Sequence, residues 1–291
     1  MAPVAVIDIG TNTTRLLVAE RDGDGDIVEL ERRTIITRLG QGVDASGRLA
    51  DEAMDRVAEA IASYREIIDR VGAERVVAVA TSAMRDAENG PEFRDYLKSR
   101  FGVDARTISG DEEARLTFLG ATAGRNDDRN TVVIDIGGGS TEYVVGRAGE
   151  DPTFHTSTQM GSVRFTERFL KSDPPAQREL QDLAEEVRVM VPEISAEHAI
   201  AVAGTATSLA AIDGAEEVHG YRLNLGACER ITAMLAGMPL EDRRNVKGLH
   251  PDRAPTIVAG AVILTESVRT LDLGEVEISD RDILHGAAAT A

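Results

Sequence analysis

The sequence reads Val6-Ile7-Asp8-Ile9-Gly10 close to its start and repeats those five residues as Val133-Ile134-Asp135-Ile136-Gly137. The offset between the copies is constant, since 135 − 8 = 127. In each copy an apolar run ends at a turn of small and hydroxyl residues, and a second apolar run follows at residues 13–18 and 140–145. This order is typical of a β-hairpin. Two copies in two halves of the chain predict duplicated lobes that face one cleft.

The two turns carry residues suited to holding an anion. Gly10 and the run Gly137-Gly138-Gly139 permit positive φ and close backbone approach, so that successive N–H groups can point into one concavity. Such a lining suits phosphate oxygens. The alternative, two ordinary glycine turns, fits one copy well but fits the agreement of both copies poorly. Hydroxyl donors flank both turns, namely Thr11, Thr13, Ser140 and Thr141.

Asp8 and Asp135 stand at matching places before the turns. Because Mg²⁺ is a hard cation that prefers carboxylate and water, both aspartates are predicted to hold hydrated Mg²⁺. The five histidines show no metal-ligand spacing, and the sequence contains no G-x-x-x-x-G-K-[ST] loop. A zinc enzyme and a P-loop nucleoside triphosphatase (NTPase) therefore both lose support.

Length and charge restrict the function further. A chain of 291 residues can form two domains with their own cores. Its 32 basic and 50 acidic residues give a net charge of −18, which disfavours nucleic acid as a partner and requires local cations if the substrate is a polyanion. With no membrane-length apolar run and no basic leader segment before Asp8, neither membrane insertion nor export is expected. A single cysteine, Cys228, excludes an internal disulfide and suits the cytoplasm.

Hydrophobic periodicity predicts mixed strands and helices, which indicates the α/β class. Residues 51–71 place their apolar side chains on one face and are predicted to form a helix. A buried strand over 76–80 is expected to feed a loop, Thr81–Arg85, and Asn89 is expected to cap a helix that ends near Phe101. Further strands are predicted near 3–9, 13–20, 27–37, 103–108, 153–159 and 199–203, and further helices near 162–170, 176–191, 206–212, 226–236 and 252–271.

The boundary between the lobes is predicted in the polar stretch at residues 124–129, which gives lobes over 1–126 and 127–280. A short helix is predicted after Ser279.

Glu113 is the candidate general base. Ser109 and Glu112 have the spacing of a capping box at the start of a helix, so Glu112 has a structural role that Glu113 lacks. Glu113 can therefore face a ligand and activate a water molecule. The alternative is that these acidic residues only complement the helix dipole.

Three arginines are candidate phosphate ligands. Arg85 follows the end of a buried strand, where α/β folds place ligand sites, although a solvated loop arginine is the alternative there. Arg15 belongs to the first hairpin, and Arg164 starts a predicted helix; each could instead be a surface cation. The turn at Gly204-Thr205 between a strand and a helix could bind a second phosphate, although many β-α turns look alike.

These segments resemble the exopolyphosphatase and guanosine pentaphosphate phosphatase (Ppx/GppA) family of the actin, Hsp70 and sugar-kinase superfamily. The resemblance covers the chain from end to end, and the set of motifs is far more specific than any one of them. The matching stretches are Asp8–Thr13, Thr81–Ala87, Ser109–Arg115, Asp135–Glu142, Gly161–Arg164, Gly204–Leu209 and Ser279–Gly286.

The resemblance implies two RNase H-like (actin-like ATPase) lobes, each a mixed β-sheet flanked by helices, with the active site in the cleft between them. It also implies that the last helix, from about Arg281, completes the first lobe. By the resemblance, Glu113 would activate water, Arg85 would bind phosphate, and Asp135 and Glu142 would hold Mg²⁺. With the residues argued above, the predicted metal ligands are Asp135, Glu142 and Asp8. The predicted phosphate-binding residues are Thr11, Asn12, Thr13, Arg15, Arg85, Gly137, Gly138, Gly139, Ser140, Arg164, Gly204 and Thr205.

The favoured function is that of an exopolyphosphatase, in which water attacks a terminal phosphoryl group and Mg²⁺, arginines and N–H groups meet the developing charge. A guanosine pentaphosphate (pppGpp) 5′-phosphatase would use the same machinery, and the sequence does not separate the two. A nucleotide-driven switch protein of the same superfamily is a third alternative. A homodimer is left open.

Overall fold

The structure, a computed structural model, describes residues 2–22 and 27–291. The chain divides into two compact units. The first contains the chain up to Gly124 together with Ile283–Ala291, and the second is Arg125–Asp282. The division after Gly124 falls in the polar stretch at residues 124–129, and the last helix belongs to the first unit.

The first unit is built on a five-stranded sheet with the order β3-β2-β1-β4-β5. β2 is antiparallel to β1 and β3, whereas β4 runs parallel to both β1 and β5. The strands are β1 (Val4–Ile9), β2 (Thr13–Arg21), β3 (Ile27–Ile36), β4 (Arg75–Ala80) and β5 (Ala105–Thr107). The helices are α1 (Val43–Ser46), α2 (Asp51–Val71), α3 (Ser82–Asp86), α4 (Gly90–Phe101), α5 (Gly110–Ala121) and, from the chain's end, α12 (Ile283–Thr290).

The second unit repeats this plan in a six-stranded sheet with the order β10-β11-β9-β6-β7-β8. Its strands are β6 (Thr131–Ile136), β7 (Thr141–Gly146), β8 (Phe154–Thr158), β9 (His198–Val202), β10 (Tyr221–Asn224) and β11 (Glu275–Ile278). Its helices are α6 (Ser162–Phe169), α7 (Gln177–Met190), α8 (Ala203–Asp213), α9 (Leu225–Ala236), α10 (Leu240–Arg243) and α11 (Ile257–Thr270), with a 3₁₀ turn at Pro251–Arg253.

The shared strand order confirms the predicted fold class. In both units a hairpin forms one side of the sheet, and strands parallel to its first strand follow on the other side. β11 takes the place of β5, and β10 adds an antiparallel strand at the edge. Each unit therefore has the order and directions of an RNase H-like lobe.

Apolar packing holds each sheet between helices. In the first unit Ile7, Leu16 and Tyr64 belong to one fully buried cluster between the sheet and α2. The other face carries a smaller cluster that includes Leu116 and Leu284. A Cβ on Gly286 would lie 1.8 Å from the Leu116 carbonyl oxygen, so α12 can approach α5 this closely only with glycine at that position.

Three local expectations are corrected by the structure, and some short elements had no prediction. The predicted loop at Thr81–Arg85 is the short helix α3. Asn89 stands at the N-terminus of α4 but does not cap it, because its amide exchanges two hydrogen bonds with the backbone of Leu49. The single helix predicted over 252–271 is interrupted between Arg253 and Ile257. The short elements β10, β11 and α10 were not predicted.

Within the described residues, the helices fall short of the length and apolar character required to cross a bilayer.

Candidate active site

The two hairpin turns are built with the same backbone bond. Gly10 N donates to Thr13 O at 2.9 Å, and Gly137 N donates to Ser140 O at 3.0 Å. These residues are related by the same sequence offset, since 137 − 10 = 140 − 13 = 127. The duplication predicted from sequence is therefore present in the hydrogen bonding of the turns as well.

The glycine turn of the second unit directs its carbonyl groups towards α6. Gly137 O accepts from Ser162 N at 3.0 Å, and Gly138 O accepts from Val163 N and Arg164 N at 2.9 and 3.1 Å. Gly139 O accepts from Arg164 Nε at 2.8 Å. In a trans peptide the next N–H points opposite to the carbonyl. The N–H groups of Gly138, Gly139 and Ser140 are therefore all turned away from α6.

Three successive amides that point the same way form a small concavity of positive potential. Among the described residues these amides have no hydrogen-bond acceptor. The first hairpin repeats the arrangement in part, because Thr11 O accepts from Gly40 N at 2.8 Å and Asn12 O accepts from Thr37 N and Arg38 N. In both turns, then, the carbonyl groups accept hydrogen bonds from a neighbouring segment. The face of the turn that carries the N–H groups is the opposite one, and it suits an anion.

Asp135 and Glu142 lie directly opposite each other on β6 and β7. Both side chains are buried, and Ser157 Oγ donates to Glu142 Oε1 at 2.7 Å. Directly opposed residues of an antiparallel pair share a face of the sheet, and two like charges there destabilise it. A divalent cation between them would relieve that repulsion.

The donor set fits Mg²⁺. Mg²⁺ is commonly held by one or two carboxylates, and waters and substrate phosphates complete the octahedron. Within the described chain no cluster of three or more aspartate, glutamate, histidine or cysteine side chains is arranged as a metal site. Two carboxylates beside the glycine turn therefore suit a cation that is shared with a bound ligand better than a metal enclosed by protein.

In the first unit Asp8 faces Arg15 instead of a second carboxylate. Arg15 donates to Asp8 Oδ2 from both Nε, at 2.9 Å, and Nη2, at 2.7 Å. The structure therefore places the predicted metal ligand Asp8 and the predicted phosphate ligand Arg15 in one ion pair.

Glu113 and Arg85 are also brought together, although 28 residues separate them in sequence (113 − 85). Arg85 Nη1 donates to Glu113 Oε2 at 3.1 Å and to the Ile108 carbonyl at 3.1 Å. The Glu113 side chain is buried, on the first turn of α5. One helical turn before Arg85, Ser82 hydrogen-bonds the Thr11 hydroxyl at 3.2 Å. The first hairpin turn, α3 and the start of α5 are thereby linked within one unit.

Glu112 has a structural role, and half of the predicted capping box is present. Ser109 Oγ accepts from Glu112 N at 3.1 Å, which is one half of a capping box. The Glu112 carboxylate does not return to the backbone of Ser109; it forms a two-pronged ion pair with Arg106 on β5. Glu112 is turned towards solvent, whereas Glu113 is buried.

The predicted second phosphate turn begins with backbone strain. Ala203 has φ +64°, a left-handed conformation that favours glycine, and it starts α8. The Arg253 guanidinium packs directly on Gly204, since a Cβ there would lie 1.5 Å from Arg253 Nη1. The buried Thr205 side chain packs closely against Gly260 of α11, since a Cβ on Gly260 would lie 2.6 Å from Thr205 Oγ1. The phosphate-binding roles of Gly204 and Thr205 stay predictions.

Buried tyrosines lie close to both hairpins. Tyr64 Oη donates to the Thr14 carbonyl at 2.6 Å, and Tyr143 hydrogen-bonds Ser267. Burial raises the pKa of both phenols well above the ordinary value. Both hydroxyls therefore stay protonated and take part in structural hydrogen bonds.

Sequence reasoning missed residues that support the site. Ser157 lies opposite Glu142 in the ladder between β7 and β8, and strand alternation could have indicated it. Tertiary packing alone brings Arg253 against the turn at Gly204 and residues 37–42 against the first hairpin turn. The sequence has no periodic pattern that predicts either contact. Arg164 belongs to the second unit, whereas Arg15 and Arg85 belong to the first. We also predict from the sequence that all three guanidinium groups converge in one cleft, and this stays a prediction.

Known proteins resemble this chain along nearly its whole length. A sequence model of the Ppx/GppA phosphatase family matches residues 17–289. An exopolyphosphatase 2 of Mycobacterium tuberculosis is 37% identical over 311 aligned residues, covering 98% of this chain and 97% of that protein. A Ppx/GppA family member from Aquifex aeolicus is 30% identical with a TM-score of 0.82, covering 99% of this chain and 97% of its own. An exopolyphosphatase from Cytophaga hutchinsonii is 25% identical with a TM-score of 0.92 and the same coverage.

Proposed function

This chain belongs to the Ppx/GppA phosphatase family, and we propose that it is an exopolyphosphatase that uses water to release terminal orthophosphate from inorganic polyphosphate. The observation that carries the proposal is the contact of the buried carboxylate of Glu113 with the partly exposed guanidinium of Arg85. A carboxylate and a guanidinium in contact are the two groups that hydrolysis of a phosphoanhydride needs, a proton acceptor for water and a cation for the phosphoryl oxygens.

Each residue then has a defined task. Glu113 accepts a proton from the attacking water, and Arg85 holds the Glu113 carboxylate in place while it offsets charge on the phosphoryl group. The amides of Gly138, Gly139 and Ser140 bind phosphate oxygens. Asp135 and Glu142 would hold Mg²⁺, which supplies positive charge to the phosphates when it is bound. Ser157 orients Glu142 for that role.

Phosphate release from long-chain polyphosphate, tripolyphosphate, pppGpp and ATP, each with Mg²⁺ and with EDTA, tests the proposal. We expect release from polyphosphate at a rate above that from pppGpp or ATP, and loss of release in EDTA. Faster release from pppGpp would assign the chain to nucleotide hydrolysis. Nucleotide binding without any phosphate release would favour a switch protein.

Two neighbouring glutamates provide a matched pair for the catalytic assignment. Glu113→Gln should reduce turnover by roughly 10²- to 10⁴-fold, because the amide cannot accept the proton. Glu112→Gln alters an exposed ion pair on the same helical turn and should change turnover by less than about twofold. Equal effects of the two substitutions would exclude Glu113 as the general base.

The metal assignment has its own readout. Asp135→Asn should raise the Mg²⁺ concentration that gives half-maximal activity, because one of two opposed carboxylates is lost. An unchanged Mg²⁺ titration would remove Asp135 from the metal site.

A homodimer, a cytoplasmic location and the lack of nucleic-acid binding also remain parts of the proposal. The net charge of −18 supports the lack of nucleic-acid binding, and the single cysteine supports the cytoplasmic location, whereas the homodimer is an open alternative. Sedimentation of the purified protein and a binding assay with labelled RNA and DNA test the first and the third.

A further inference from the structure

Residues 15 and 142 occupy the same place in the two hairpins, since 142 − 15 = 135 − 8 = 127. The ladders show the equivalence directly, because Asp8 is opposite Arg15 in one unit and Asp135 is opposite Glu142 in the other. The same backbone position therefore carries a positive side chain in the first hairpin and a negative one in the second.

The Asp8–Arg15 ion pair is held firmly. Two N–H groups of Arg15 donate to one carboxylate oxygen, Asp8 Oδ2, and the side chains are only 12% and 5% exposed for arginine and aspartate. That same oxygen would lie 3.9 Å from a Cβ on Gly10, so the pair adjoins the first residue of the turn. Charge-assisted hydrogen bonds of this kind fix the orientation of a guanidinium.

Asp8 does not fit the metal role predicted for it. A divalent cation bound at Oδ2 would have to displace two N–H donors. One bound at the buried Oδ1 of the same carboxylate would still stand within a few ångströms of the Arg15 guanidinium, which repels it. In the second hairpin the opposed residue is a carboxylate, and the same place attracts a cation.

We infer that Asp8 is a positioning residue that holds Arg15, and that the Arg15 guanidinium is a built-in cation of the first hairpin, at the place where the second hairpin recruits a metal. The inference rests on the proposed function, because it assumes that the first turn faces phosphate. On this inference, the negative charge of one substrate is neutralised by two cations: the Arg15 guanidinium, which is always present, and a metal ion at the second hairpin, which must be bound.

Calorimetric binding of tripolyphosphate in EDTA and in Mg²⁺ separates the two roles. Asp8→Asn should weaken binding by about tenfold in both buffers, since loss of a charge-assisted contact is worth about 1.4 kcal/mol or more. Asp135→Asn should weaken binding only in Mg²⁺. If Asp8→Asn also acts only in Mg²⁺, Asp8 is a metal ligand and the inference is wrong.

A double variant guards against misfolding, because it leaves no unpaired buried charge. If Asp8 acts only through Arg15, Asp8→Asn/Arg15→Gln should bind tripolyphosphate as Arg15→Gln alone does, to within about twofold. Additive losses would overturn the inference. If the unmodified protein does not bind tripolyphosphate, the proposed function is refuted instead. In that case, Mn²⁺ binding to Asp8→Asn and to Asp135→Asn, detected by electron paramagnetic resonance, would still decide which aspartate holds metal.

Discussion

Gly161 is the position at which α6 meets the glycine turn, and Gly161→Ala tests the architecture of that turn. The backbone of Gly161 is extended, with φ −140°, so alanine has no conformational penalty there. The steric penalty is large. A Cβ would lie 2.4 Å from Gly138 O, 2.5 Å from Gly138 C and 2.5 Å from Gly139 C. Backbone atoms cannot rotate away as a flexible side chain does.

The magnitude follows from the hydrogen bonds that a shift would lengthen. Ordinary contact needs about 3.4 Å, so the turn and α6 must separate by about 1 Å. Val163 N and Arg164 N both donate to Gly138 O, at 2.9 and 3.1 Å, and neither bond survives such a shift. At about 1 kcal/mol each, their loss costs about 2 kcal/mol. Alanine restricts the unfolded chain and returns roughly 0.4–1 kcal/mol.

We therefore expect Gly161→Ala to lower the free energy of unfolding by about 1–2 kcal/mol, within the usual range for overpacking. Urea denaturation monitored by circular dichroism measures it. Gly274→Ala is the matched control in the same unit, since a Cβ there meets nothing within 4 Å. If both variants unfold at the same urea concentration, the turn is not held against α6 as described, and the inferred direction of its amides fails with it.

Two further predictions concern stability in the second unit. Glu277→Gln should destabilise the protein by about 3 kcal/mol at neutral pH, because Glu277 accepts from His198 and from both terminal nitrogens of Arg125, beside Asp127. The His198 contact, followed by that of Arg125, holds the pKa of Glu277 below its ordinary value. Glu277 therefore stabilises the folded protein fully above about pH 5, and the difference in unfolding free energy between variant and wild type should shrink as pH falls below about 4. Denaturation curves at several pH values measure this difference, and a difference that stays constant would contradict the prediction. Ala203→Gly should raise the free energy of unfolding by about 0.5–1 kcal/mol, because relief of a left-handed alanine exceeds the added entropy of the unfolded chain; a lower urea midpoint for this variant would show that the strain is absent.

The sequence predicted most reliably those elements whose signal is local. The helix over 51–71 has the predicted bounds, since its apolar face repeats over nearly six turns. The two hairpins were readable because strand, turn and strand are adjacent in the chain. By contrast, β11 is a short strand in which Glu275 and Glu277 alternate with Val276 and Ile278, and its place beside β9 is set by tertiary pairing. Four residues carry too little pattern to predict a strand.

In the candidate site too, features with a local signal could be predicted from the sequence, whereas contacts set by tertiary packing could not. Capping chemistry could separate Glu112 from Glu113, because it depends on residues three apart. It could not predict that Glu112 would pair with Arg106, which lies on the strand before the helix. The contact between Arg85 and Glu113 depends on how α3 and α5 pack at the end of the sheet, and the sequence shows only that both follow strands. The offset of 127 shows in the sequence that Arg15 and Glu142 hold equivalent positions with opposite charge. Only the register of the ladders shows that each of them lies opposite an aspartate.

The predicted phosphate-binding arginines share one structural property. Arg15 is held by Asp8, Arg85 by Glu113 and the Ile108 carbonyl, and Arg164 by the Gly139 carbonyl. An arginine that is already immobilised loses little rotamer freedom when it binds a ligand, a saving of about 0.5–1.5 kcal/mol for each side chain. For a chain of net charge −18, distant acidic residues act on a polyanion only within a screening length of about 10 Å at moderate salt, whereas a guanidinium in contact with phosphate is not screened. Anchored arginines, together with amides that face away from α6, would therefore suit the binding of a polyanion to a protein whose overall charge opposes it.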